Sequence, residues 1–182
     1  MAIATTGCSV GTVVDAQPGC DQDDTVFILA AQAVPSATLI PCITGYPEGW
    51  TFAGSKTASG VFRFFLDSDR AGIHAVEVVL TATCDPGDAV EVVPAPDETG
   101  TRRFEDPISL PPDFSANRYY TFRGGCAEYR YRFPGTADPS LVLEVDQALG
   151  FRPRAELVRE LAEIGLTLCG AEAPRCAGGI GP

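Results

Sequence analysis

The chain has 182 residues, 45% of them hydrophobic, which is enough for one domain with a buried core and excludes wholesale disorder. Its 24 acidic side chains outnumber the 13 basic ones and give a formal net charge of -11. This charge argues against a nucleic-acid partner, because binding to a phosphate backbone draws most of its affinity from Lys and Arg.

The N-terminal segment, residues 1–19, is predicted to be a flexible tether, because the stretch 8–24 is polar and rich in Gly, Pro and Asp. The first seven residues lack the basic start and the apolar run of a signal peptide. Residues 4–8, Ala-Thr-Thr-Gly-Cys, resemble the end of a bacterial lipoprotein signal, although Thr5 stands where Leu is usual. The resemblance implies lipidation of Cys8 and membrane attachment through it. The alternative is a free N-terminal thiol.

Five segments in the first half of the chain have the apolar runs or the two-residue alternation of β-strands. They are 25–31, 37–43, 50–53, 61–66 and 74–83. The polar stretch 54–60 separates two of them, which predicts a hairpin with a long loop. In the last segment Val76, Val78 and Leu80 lie on one face and Glu77 lies on the other.

Residues 93–115 are dominated by prolines and charges. We predict a long surface loop there, with only 102–104 extended. A second hairpin follows, with arms at 118–122 and 127–133 around a Gly-Gly turn.

The second arm of this hairpin alternates aromatic and charged side chains, so one face is aromatic and the other is charged. The charged face, with Arg123, Arg130 and Arg132, is a candidate site for an anionic polymer, because arginine forks bind phosphate and carboxylate groups. The alternative is an ordinary half-buried hairpin whose polar side faces water.

Two C-terminal helices are predicted from apolar stripes with helical spacing. The first begins after Asp138 and Pro139, which suit an N-terminus, and ends at Gly150. The second begins at Pro153 and ends at Gly165. We expect both helices to cover one face of an antiparallel sheet of five to seven strands, which makes the fold class α+β.

Seven cysteines point to an oxidising compartment, because disulfides persist there and are rare in the bacterial cytosol. Without Cys8 an even six remain, which predicts three disulfides among fifteen possible pairings. The six are Cys20, Cys42, Cys84, Cys126, Cys169 and Cys176. Short separation favours Cys169 with Cys176, and adjacent strand ends favour Cys84 with Cys126. The alternative is a set of reduced, buried thiols. A zinc site is not favoured, because no Cys-x-x-Cys pair is present and His74 is the only histidine. No cofactor is expected.

Other polar groups are weaker candidates for a site. Residues 67–72, Asp-Ser-Asp-Arg-Ala-Gly, resemble the opening of a calcium loop, but Val78 stands where a bidentate Glu is needed, so an Asx-rich turn is favoured. His74 is the only histidine, and a surface or structural role is favoured over that of a catalytic base. Glu77 and Glu128 lie on firm strands, but nothing indicates that they face each other for glycoside hydrolysis.

One extracytoplasmic α+β domain is predicted over residues 20–176, followed by a disordered tail over 177–182. Segments at 34–38, 66–72 and 148–151 resemble uncharacterised cell-surface proteins of high-GC Gram-positive bacteria, which implies a surface location. We expect a non-catalytic protein, lipid-anchored or secreted, that binds a protein or an envelope polymer. The alternative is a secreted hydrolase, which a deep pocket with convergent acids and shifted pKa values would favour.

Overall fold

The structure is a computed structural model that describes residues 18–20, 25–96, 98–135 and 138–170. Within these ranges it has a seven-stranded antiparallel sheet, a second sheet of two strands, three helices and two disulfides between described cysteines. In chain order the elements are α1 (Thr25–Ala33), β1 (Leu39–Ile43), β2 (Trp50–Ala58), β3 (Val61–Ser68), β4 (Gly72–Thr81), β5 (Val90–Val92), β6 (Arg102–Ser109), β7 (Phe114–Phe122), β8 (Gly125–Phe133), α2 (Leu141–Asp146), β9 (Leu149–Pro153) and α3 (Arg154–Glu163). The predicted class, a disulfide-stapled antiparallel sheet with a few helices, is confirmed in this coarse form.

The strand order of the large sheet is β2-β3-β4-β8-β7-β6-β5. Consecutive strands are neighbours except at the centre, where β4 pairs with β8. The chain therefore leaves the middle of the sheet after β4 and reaches the far edge at β5 through residues 82–89. Cys84 in this crossover is bonded to Cys126 in β8, with their Cα atoms 5.8 Å apart. The disulfide fastens the crossover to a central strand.

One face of the large sheet carries the core. Phe62 pairs with Leu80, Leu80 with Ala127, and Ala127 with Tyr120, and all four side chains are buried. Each Å2 of apolar surface buried in this way contributes roughly 25 cal/mol. Helix α1 packs against β2 and β3, while Phe151 of β9 lies edge-on to Tyr120 with ring centroids 5.2 Å apart.

The prediction placed only two C-terminal helices over this face. The structure has helices and the short strand β9 there. Both α2 and α3 contact β9, the short strand between them. The first helix ends at Asp146 instead of Gly150, because residues 149–153 form β9 and pair with β1. A free strand edge at β1 offers these residues a ladder of backbone hydrogen bonds, which outweighs their local helical pattern.

The predicted strand at 25–31 is wrong, because these residues form helix α1. A short apolar run fits a buried helix as well as a buried strand, and periodicity alone does not separate the two. The run continues through Ala30, Ala31 and Ala33, which favour a helix and are all buried. Their small side chains suit close packing of α1 on the sheet.

The predicted long loop at 93–115 is wrong in part, because β6 and the start of β7 lie within it and only 102–104 was expected to be extended. Its charged side chains find partners within the sheet instead of facing water. Arg103 Nε and Arg118 Nε each donate to Glu105 Oε1 at 2.8 Å. Ion pairs between neighbouring strands therefore support strand structure in a sequence with few apolar residues.

Candidate functional site

Two adjoining clefts lie beside α2, each with a volume of about 410 Å3. The loop 44–48 between β1 and β2 lines one side of them. Asp69 and Arg70, in the turn between β3 and β4, line another side, and Glu144 and Gln147 line a third. Glu144 lines both clefts, so its carboxylate lies where they meet.

Arg70 and Glu144 form a bidentate ion pair at this junction. Nη1 of Arg70 donates to Oε1 at 3.0 Å, and Nη2 donates to Oε2 at 2.5 Å. Nη2 also donates to the carbonyl oxygen of Glu48 at 3.0 Å, and Nε lies 3.6 Å from Asp69 Oδ1. One guanidinium thus connects three segments that are far apart in sequence, and most of its donors are occupied.

The junction is acidic, because the described residues that line it are three acids, Glu48, Asp69 and Glu144, and one cation, Arg70. Hydrogen bonds from Arg70 lower the pKa of Glu144 and hold its carboxylate ionised. The indole N–H of Trp50 lies beside the same carboxylate and lowers this pKa further. Trp50 is only 3% exposed, and its Nε1 does not reach full hydrogen-bond geometry with any described partner. Arg70 and Trp50 therefore hold the Glu144 carboxylate ionised at the junction.

The turn between β3 and β4 is held by its own side chains. Ser68 Oγ accepts two N–H groups of the turn, both at 3.2 Å, and Asp67 Oδ1 accepts the N–H of His74 at 2.7 Å. Residues 67–72 are thus an Asx-rich turn, the interpretation favoured over a calcium loop. In the part of the chain that the structure describes, no three His, Cys, Asp or Glu side chains are grouped to hold a metal ion.

Gly49 allows the loop before β2 to approach this turn closely. Its φ of 79° lies in the left-handed region, and a Cβ at this position would overlap the Asp69 carboxylate. The main-chain N–H of Asp69 donates to the carbonyl oxygen of Gly49 at 2.9 Å. A side chain at position 49 would therefore displace Asp69 from the cleft.

His74 lies near the start of β4, where it is exposed and has a φ of 50°. Its ring stacks on Phe65, with the centroids 4.6 Å apart. The carboxylate of Asp67 binds the main-chain N–H of His74. This placement agrees with the surface role favoured from the sequence.

The face of the large sheet opposite the core carries a lattice of charged side chains. Arg63 and Arg130 each donate to Glu77 at 3.1 Å, and Arg130 also donates to Glu128 at 2.7 Å. The hydrogen bonds to Glu128 and Glu77 raise the pKa of Arg130. The guanidinium of Arg130 occupies the space between the two acids, so its charge is already balanced within the sheet.

Of the three arginines predicted to share a charged face, Arg130 and Arg132 lie two residues apart on β8, and Arg123 lies elsewhere. Arg132 is exposed and donates to Asn117 Oδ1 at 3.3 Å. Arg123 lies in the turn between β7 and β8, where its carbonyl oxygen accepts the hydroxyl of Thr38 at 2.8 Å. The length of extended strand from this turn to Arg132 is roughly 20 Å or more. Arg123 is therefore not part of one anion site with Arg130 and Arg132.

A buried ionic network lies on the core side of the large sheet and was not predicted from the sequence. Arg118 is only 3% exposed and forms ion pairs with Glu105 and Asp146. The hydroxyl of Tyr131 donates to Asp146 at 2.8 Å. Burial lowers the pKa of Arg118, but its contacts with Tyr131 and Asp146 outweigh burial and raise it overall. Because these groups satisfy one another, the network ties β6, β7 and β8 to α2 as a structural element.

The predicted cysteine pairing is found between Cys84 and Cys126. A second disulfide joins Cys20 to Cys42 and fixes the start of the described chain to β1. Cys169 is disulfide-bonded as well. Cys176, its expected partner, and Cys8, the lipidation candidate, lie outside the described residues.

Comparisons of the chain with protein-family models, curated proteins and solved structures gave no match. None of the helices in the described ranges has the length and apolar character needed to cross a bilayer. The disulfides point to an oxidising, extracytoplasmic environment.

Proposed function

We propose that this protein is a non-catalytic, extracytoplasmic binding domain of the cell surface and that the paired clefts beside α2 are its ligand site. The observation that carries the proposal is the Arg70–Glu144 pair, which fixes an ionised carboxylate where two clefts of about 410 Å3 meet. Open surface clefts of this volume can hold part of a polymer chain, and a few fixed polar groups in them provide orientation. The ligand is a component of an envelope polymer.

The compartment part of the proposal rests on the cysteines. Two disulfides, Cys20–Cys42 and Cys84–Cys126, are compatible with an oxidising compartment and would be unusual in a bacterial cytosol. The resemblance to cell-surface proteins of high-GC Gram-positive bacteria supports the same location. Lipidation of Cys8 is the proposed means of attachment.

Binding is favoured over hydrolysis by the protonation state of the cleft acid. A glycosidase that uses two carboxylates needs one of them protonated as the general acid, which requires a raised pKa. Arg70 has the opposite effect on Glu144, because its hydrogen bonds lower the pKa. An ionised carboxylate is suited to accept hydrogen bonds from a ligand.

The proposal is tested on the full chain expressed in its native host. We expect the protein in the envelope fraction or the medium, with Cys20, Cys42, Cys84 and Cys126 protected from alkylation until a reductant is added. Purified, oxidised protein should also be retained by isolated envelope and released by an excess of soluble envelope fragments. Recovery in the cytosol with these four thiols reactive, or no retention on envelope, would contradict the proposal.

A further inference from the structure

We propose that the paired clefts take a neutral, hydroxyl-rich saccharide and discriminate against anionic sugars; this assignment rests on the proposed function and narrows it to a ligand class. The adjoining volumes, joined at Glu144, suit two consecutive units of an oligosaccharide. The structure therefore points to a short stretch of a neutral glycan as the occupant.

The hydrogen-bonding groups of the clefts favour a ligand rich in donors. The donors of Arg70 are directed at Glu144, Glu48 and Asp69. The carboxylates keep unused lone pairs, because an ionised carboxylate has about four acceptor sites. Sugar hydroxyl groups are donors that fit these acceptors, and hydrogen bonds to an ionised group are stronger than neutral ones.

The buried indole of Trp50 fixes the Glu144 acceptor from the protein side. Its N–H lies beside the Glu144 carboxylate and lowers the pKa of Glu144, as Arg70 does. Trp50 is only 3% exposed and lines neither cleft, so a ligand meets the carboxylate and not the indole. The carboxylate therefore stays ionised and in place as an acceptor for hydroxyl groups.

Charge excludes the anionic alternative. The described residues at the junction include three carboxylates, Glu48, Asp69 and Glu144, and one cation, Arg70, which is already paired. A uronic acid or phosphate group would place another negative charge beside them, and like charges across an interface repel each other. Tyr46 and Pro47 line the first cleft and supply apolar surface for the C–H face of a sugar ring.

The test is an NMR titration of the oxidised, 15N-labelled full chain with two tetrasaccharides of similar size. The neutral probe is a tetramer of N-acetylglucosamine, and the anionic probe is a tetramer of galacturonic acid. We expect saturable shifts at the amides of Gly45, Gln147 and Ala148 with the neutral probe, and at least about tenfold weaker binding of the anionic probe, equivalent to about 1.4 kcal/mol.

Two substitutions in the clefts test where the tetrasaccharides bind and what sets the preference for the neutral one. Gln147→Ala retains the main-chain carbonyl that the Thr44 hydroxyl approaches at 3.3 Å, so it should fold and weaken neutral binding about fivefold. Glu144→Gln removes the charged acceptor and deprives Arg70 of its bidentate carboxylate, so it should weaken binding of the neutral probe and strengthen binding of the anionic one. The matched control is Glu91→Gln, which breaks another exposed bidentate arginine pair, with Arg102, away from the clefts and should change neither affinity.

Two outcomes would overturn the saccharide assignment. One is the absence of cleft shifts with the neutral probe at about 20 mM, well above a millimolar Kd. The other is tighter binding of the anionic probe to the unmodified chain. If the protein is nevertheless exported and retained by isolated envelope, the proposed function stands and only the ligand class is wrong. If the neutral probe binds but the protein is cytosolic, the cleft assignment stands and the proposed function falls.

Discussion

Cys84 and Cys126 join the crossover after β4 to the central strand β8, with their Cα atoms 5.8 Å apart. Cys126 is paired in the sheet with Thr81, the last residue of β4. The crossover therefore turns back beside the strand that it has just left before it runs to the far edge at β5. Among the described strands of the large sheet, this bond restrains the one connection that joins strands that are not neighbours, β4 and β5.

Loss of this disulfide should destabilise the domain strongly. The bonded cysteines are 42 residues apart, and closing a loop of that length removes about 4 kcal/mol of conformational freedom from the unfolded chain. We expect the double variant Cys84→Ala, Cys126→Ala to lose a large part of this amount in urea unfolding. Adding a reductant to the variant should have less effect than adding it to the unmodified protein. A loss below about 1 kcal/mol in the double variant would contradict the expected role of the bond.

Arg154 should be essential for packing α1 against the C-terminal segment. It is fully buried, and its guanidinium donates to the carbonyl oxygens of Ala31 at 2.6 Å and Cys169 at 2.5 Å. Burial lowers its pKa. Arg154→Ala leaves both carbonyl groups without this donor and creates a cavity, so the free energy of unfolding should fall by about 2–4 kcal/mol.

The control for Arg154 lies on the same helix. Arg159 is exposed, so Arg159→Ala should change the free energy of unfolding by less than about 0.5 kcal/mol. Chemical denaturation of both variants provides the comparison. Equal effects of the two substitutions would contradict the role assigned to Arg154.

The domain should unfold at alkaline pH with ionisation of its buried tyrosines. Burial raises the pKa of Tyr129 and Tyr131 well above the ordinary value, and it also raises that of Tyr120. Since the unfolded pKa is about 10, the stabilising contribution is complete below that pH and is lost as pH rises toward the folded pKa.

Phenolate absorbance and circular dichroism, followed together, check this prediction. Of the five tyrosines, Tyr129 and Tyr131 should ionise only in the unfolding transition. Ionisation of all five before any change in circular dichroism would contradict it. Tyr131→Phe removes one of the buried phenols and should reduce the steepness of the alkaline loss of stability.

The charged lattice on the open sheet face should stabilise the protein without binding polyanions. Arg130→Gln leaves Glu77 and Glu128, which are 21% and 17% exposed, without their shared cation, so we expect a loss of about 1 kcal/mol. Arg132→Gln should cost less than about 0.5 kcal/mol, because Arg132 is exposed. The salt needed to elute the protein from immobilised polyphosphate should be the same for both variants and the unmodified chain. A clear decrease for Arg130→Gln would restore the anion-binding interpretation of this face.

Local sequence patterns predicted strands correctly where one face of the strand is buried and the other is exposed to solvent. The alternation at 127–133 correctly predicts the second arm of the second hairpin, whose aromatic side chains Tyr129, Tyr131 and Phe133 are buried on one face. The apolar run at 25–31 did not discriminate between helix and strand, because both bury such a run completely. At 93–115 charges indicated a loop, although strand neighbours supply the opposite charges that make a strand stable there.

The sequence by itself determined the charge, the expectation of disulfides and the alternation of strand faces, because these depend on composition and on contacts between near neighbours. Only the tertiary structure decided the clefts. Asp69 and Arg70 belong to a turn pattern in the sequence, and Glu144 lies 74 residues beyond Arg70. Their meeting depends on the packing of α2 beside the β3–β4 turn, which no local periodicity encodes. The site exists because the guanidinium of Arg70 binds the carboxylate of Glu144 and the carbonyl oxygen of Glu48, which come from distant segments. Only folding brings these groups together.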